Sequence, residues 1–144
     1  NIAINETSLI FYKADTGYAD AIVDAFESFI RFNLNMRLTH KKTILHEFTH
    51  ILTESILDDA IWKKGGHSLE FAIVYYSLEL KYFKSDIHIS SYDIKDDQAY
   101  ANIYINPSMF NSFIQSIKWR TIEELKSIAK VKAQEIRDRL LKMT

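Results

Sequence analysis

Residues 46 to 50 read His46-Glu47-Phe48-Thr49-His50, and the apolar residues around them commit this stretch to a helix. Ile44, Leu45, Phe48, Ile51, Leu52 and Ile56 recur at helical spacing, and nothing between Thr43 and Leu57 breaks the pattern. A helix repeats every 3.6 residues, so side chains four apart lie on one face, about one turn from each other. His46 and His50 therefore point the same way, and two imidazoles at that separation can bind one Zn²⁺. Glu47, beside the first histidine, is placed to take a proton from a water on that metal.

This is the H-E-x-x-H pattern of zinc metalloproteases. With five histidines in 144 residues, chance alone would produce the motif in about one chain in a hundred of this composition. The alternative is a helix carrying two hydrogen-bonded histidines with no metal role. Catalytic zinc usually has three protein ligands and one open position, so a third ligand is needed. It is sought just downstream, where Lys63-Lys64-Gly65-Gly66-His67-Ser68-Leu69-Glu70-Phe71 follows the helix. Two glycines permit a sharp turn, and a loop that doubles back would bring His67 beside His46 and His50.

H-E-x-x-H followed by Gly66-His67-Ser68-Leu69-Glu70-Phe71 resembles the SprT-like zinc metallopeptidases and the small metallohydrolases related to them. In that pattern the histidine of a G-H-G-P-E-F stretch is the third zinc ligand, and it maps onto His67. Ser68 stands for the usual glycine and Leu69 for the usual proline. The resemblance covers roughly residues 30 to 83. A competing third ligand is Glu70, twenty residues after His50, a spacing that resembles the thermolysin-like proteases. Glu70 can equally be a carboxylate favoured by a helix N-terminus, or one that orients a ligating histidine from behind.

Composition agrees with one compact domain over residues 1–144. The chain is 47% apolar, with few glycines and prolines, enough to fill one core. A net charge of −1 gives no general attraction to nucleic acid or to anionic membranes. No cysteine is present, so a disulfide framework and thiolate metal ligation are excluded. No apolar run reaches the length of a membrane span. These features suit an intracellular protein, although the start at Asn1 leaves room for a trimmed N-terminus.

The expected fold is α+β, a minimal zincin-like domain with the metal helix against a small sheet and helices at the C-terminus. Residues 7–12 are expected as a strand, 18–30 as a helix, and 32–39, which alternates apolar and polar, as a half-buried strand. The edge of that last strand could pair with an extended substrate. The metal helix is placed at about 43–57 and a second helix at about 68–84. Short strands are expected at 87–89 and 100–105, separated by a charged surface turn at Asp93-Ile94-Lys95-Asp96-Asp97. Residues 108–117 are expected to be helical. Thr121-Ile122-Glu123-Glu124 forms a capping box that opens an amphipathic helix over 122–143, whose basic face offers a contact or dimer surface. His40 is read as a loop histidine.

The chemistry this predicts is peptide-bond hydrolysis. Zn²⁺ on His46, His50 and His67 lowers the pKa of its water, Glu47 acts as general base, and a protein or peptide is the substrate. Tyr75, Tyr76 and His88 are candidates to stabilise the oxyanion, the tyrosines being equally readable as core aromatics. The alternatives are a regulatory protease with Glu70 as ligand, a zinc-containing binding module without turnover, and a nucleic-acid-associated protease.

Overall fold

The computed structural model describes residues 7–12, 19–23, 28–33, 40–83, 88–97 and 107–143. The chain divides into two compact units, Asn1–Ser55 and Ile56–Thr144.

In the first unit the backbone runs through three strands, β1 (Thr7–Tyr12), β2 (Ala19–Val23) and β3 (Ser28–Asn33), in the order β1-β3-β2. β1 lies parallel to β3, and β2 antiparallel to it. The helix expected over 18–30 is thus replaced by β2 and β3. Ile22, Val23, Phe29 and Ile30 are β-branched or aromatic, and such side chains fit a pleated surface better than a helix. Residues 34–39 of the expected substrate-pairing strand lie outside the described residues. Helix α1 (His40–Thr53) follows and takes in His40, a residue expected in a loop. A 3₁₀ turn, Glu54–Ile56, prolongs it. Leu45, Ile51 and Leu52 are buried on α1, as are Thr49 and Thr53. Each threonine hydroxyl donates to the carbonyl four residues back, Thr49 to Leu45 and Thr53 to Thr49, so burial leaves neither hydroxyl unsatisfied.

The second unit opens with the short helix α2 (Asp59–Lys64), which the sequence reading missed. The Asp58 carboxylate accepts from the Ala60 N–H at 2.9 Å as its N-cap. Gly65 ends it at φ 132°, and Gly66 follows at φ 82°. Helix α3 (Leu69–Phe83) is buried at every position from Leu69 to Leu80. A helix apolar on nearly all sides belongs inside a core. It packs against helix α4 (Pro107–Ile117), helix α5 (Ile122–Met143) and a 3₁₀ turn at Ser91–Ile94. Phe110, Ile114 and Ile117 from α4 and Leu125, Ala129 and Ala133 from α5 supply the facing side chains. The capping box forms as expected: the Glu124 N–H donates to the Thr121 hydroxyl at 3.2 Å, and the Thr121 N–H donates to Glu124 Oε1 at 3.4 Å.

The α+β class is corrected by this arrangement. Of the residues whose side chains are described, 82% are helical and none is in a strand. The strands of the first unit are described by their backbone alone. Where the core can be read side chain by side chain, α3 is covered by the helices α4 and α5. His88 and Ile89, expected in a strand, have no regular structure. Residues 87 and 100–105 lie outside the described residues.

Candidate metal centre

The helix that holds His46 and His50 does what their spacing requires. Their rings meet edge to face with centroids 5.0 Å apart. His50 is buried and His46 half-buried. His67 reaches its position by a different route. The chain leaves α2 through two residues with positive φ, a conformation that glycine adopts without a steric penalty, and presents His67 just before α3. One ligand nitrogen from each of His46, His50 and His67 lies within 4.8 Å of the others. Three histidines grouped in this way can hold a metal ion.

His67 is tightly oriented. Its Nδ1 lies 2.7 Å from Asp96 Oδ2, and its backbone N–H donates to the same oxygen at 3.0 Å. The Asp96 N–H in turn donates to the His67 carbonyl at 2.9 Å. An ionised carboxylate only accepts, so the proton belongs on Nδ1 and Nε2 is left as the ligand nitrogen. Carboxylates behind ligating histidines fix tautomer and ring angle in this way. Phe71 and Tyr92 flank the ring edge-on, at 5.2 and 5.0 Å between centroids. Burial pushes the His67 pKa below its usual value, outweighing the opposing pull of Asp96. The ring is therefore neutral near pH 7, the form a metal requires.

Asp96 also explains why position 65 is glycine. A Cβ there would lie 2.7 Å from Asp96 Oδ2. Gly65→Ala is expected to lower stability by about 1–3 kcal/mol through backbone strain and to push Asp96 off His67. Thermal unfolding and zinc titration of the variant measure the two effects separately.

Glu70 is placed differently from the alternative reading. It is buried in the first turn of α3, and both its oxygens accept from Arg137 of α5, Oε1 at 2.5 Å from Nη1 and Oε2 at 2.7 Å from Nη2. The histidine group that can hold a metal does not include it. Removing one partner of a buried ion pair costs about 3–5 kcal/mol, so Glu70→Ala is expected to be strongly destabilising. A denaturant melt of the metal-free protein measures it.

Glu47 is buried on α1 beside His46. Tyr75 and Tyr76 lie in the core of α3. The Tyr76 hydroxyl donates to Asp93 at 2.5 Å and accepts from the Ser90 N–H at 2.9 Å, which makes it a structural link. Burial, then the neighbouring Asp93 charge, raises the Tyr76 pKa, and burial, then the Glu79 charge, raises that of Tyr75. His88 is exposed and is not part of the histidine group.

The sequence reading missed the role of residues 93–97. By composition they form a charged surface turn, yet Asp93 and Asp97 are buried and Asp96 holds His67. Their clustering beside Ile94 is the available signal, but one-dimensional sequence does not show which acid faces inward. No family model matches the chain, and no curated protein or solved structure matches it either.

Proposed function

We propose that the protein is a zinc-dependent metallopeptidase, with His46, His50 and His67 as ligands and Glu47 as general base. The observation that carries this reading is the convergence of three histidine nitrogens, two of them from an H-E-x-x-H helix. Three imidazoles suit zinc, which accepts nitrogen ligands and in catalytic sites keeps a fourth position for water. Bound zinc would supply Lewis acidity at that position. Glu47 then accepts a proton and returns it to the leaving amine. Asp96 holds the His67 ring so that Nε2 faces outward from the carboxylate. The resemblance to SprT-like peptidases supports the same substrate class, a protein or peptide.

The test is cleavage of a broad peptide library by the zinc-loaded protein. Cleavage that stops with a strong chelator and returns with Zn²⁺ is expected. A protein that binds about one zinc per chain, as three ligands and one open position require, and cleaves no member of the library is instead a zinc-containing binding module.

A further inference from the structure

Two stretches meet around His67. One is the Gly65–Phe71 segment that enters α3; the other is the 3₁₀ turn at Ser91–Ile94 with the residues after it. Asp96 links them through His67, and Asp97 links them a second time, because its Oδ2 accepts from the Leu69 N–H at 3.3 Å. Arg137, on α5, closes the arrangement. Its guanidinium donates to both oxygens of Glu70 on the first stretch and, through Nη2, to Asp97 Oδ2 at 2.7 Å on the second. Glu70 and Asp97 are almost fully buried, with side chains 5% and 3% exposed, and Arg137 is only 20% exposed. A planar fork with several donors can bridge two carboxylates in a fixed geometry, which an ammonium cannot do.

We propose that Arg137 is a positioning residue for the metal centre: it rivets the Asp97 side of the turn to the start of α3 and so keeps Asp96 against His67 Nδ1. This rests on the metal-site reading under Proposed function. The C-terminal helix thereby sets the affinity of a site to which it contributes no ligand. Asp97 is adjacent to Asp96 in the chain, so a displacement of the Asp97 backbone on loss of the Arg137 grip carries Asp96 with it. With Asp96 withdrawn, the His67 ring is free to turn and to carry its proton on Nε2, the nitrogen the metal needs.

The experiment is a double-mutant cycle on zinc affinity, measured by chelator competition on the full chain, with Arg137→Met, Asp96→Ala and the pair. Each single change is expected to weaken zinc about 10- to 100-fold, the usual cost of losing an outer partner. The pair should be little worse than Asp96→Ala alone, because Arg137 acts through Asp96. Losses that simply add, or a folded Arg137→Met protein with wild-type affinity, overturn the proposal. Arg137→Lys keeps the charge and serves where Arg137→Met does not fold; it should still lose most of the affinity that Arg137→Met would lose, and wild-type affinity in it also overturns the proposal. The ring nitrogens of His67 give a readout independent of metal. Nitrogen-15 spectra of the metal-free protein should show the Nδ1–H form in the wild type and a shift toward Nε2–H in the Arg137 variants. An unchanged tautomer counts against the rivet, whereas a wild type that binds no zinc but shows this tautomer shift defeats the metal reading and leaves the rivet standing.

Discussion

His67→Ala is expected to empty the metal centre, while Glu70→Ala leaves it filled. His67 offers a neutral imidazole within 4.8 Å of the nitrogens of His46 and His50. Glu70 has both oxygens engaged by Arg137. Losing a directly ligating histidine should cost more than the roughly 10- to 100-fold typical of an outer partner, so His67→Ala should bind no stoichiometric zinc after dialysis. His46→Ala and His50→Ala should behave the same way. Glu70→Ala should retain about one zinc per chain by the same ligand count, with an affinity loss no greater than that of Asp96→Ala. Elemental analysis gives the stoichiometry, and competition with a chromophoric chelator at fixed pH gives the affinity. Circular dichroism guards against misreading an unfolded variant, which matters for Glu70→Ala because of the buried charge it leaves on Arg137. Should Glu70→Ala be the folded variant without metal while His67→Ala keeps it, the third ligand is a carboxylate and a thermolysin-like ligand set replaces the three histidines.

Glu47→Gln is expected to separate binding from chemistry. Glutamine has the shape of glutamate, and position 47 is outside the histidine group, so zinc content and affinity should stay near wild type. Hydrolysis should fall by at least about 100-fold, since general base catalysis contributes about 10²- to 10⁴-fold and an amide cannot accept the proton. The rate is read on whichever library peptide the wild type cuts fastest, at matched zinc occupancy. A Glu47→Gln protein that cleaves at the wild-type rate removes Glu47 from the mechanism. One that loses zinc as well as activity assigns Glu47 to holding the site together. Both results are distinguishable from failure of the ligand set, because the histidine variants are scored on metal alone.

The sequence determined what depends on neighbours a few residues apart. His46 and His50 share a face because α-helix geometry puts residues four apart together, and the apolar residues around them ensure the helix. Gly65-Gly66 announced a turn, and both residues adopt positive φ. Thr121 and Glu124 announced the start of α5 and cap it reciprocally. Asp58 and Gly65 bracket α2 with an N-cap and a C-terminal glycine, a signal that is present in the sequence but easily passes for a spacer in so short a helix.

The expected helix over 18–30 failed because its apolar spacing also fits strands, and pairing with distant residues, which periodicity does not record, decides between the two. The α+β class failed for a related reason: α3 is buried by α4 and α5, and a helix buried along most of its length does not state what will cover it. Only tertiary structure could decide the partners of His67, Glu70 and Arg137. Asp96 lies 29 residues from His67, and Arg137 lies 67 from Glu70. A carboxylate in the sequence is equally a ligand, a hydrogen-bond acceptor or a solvated charge. Burial beside one particular donor is what selects among these, because an unpaired charge in the interior costs too much to persist.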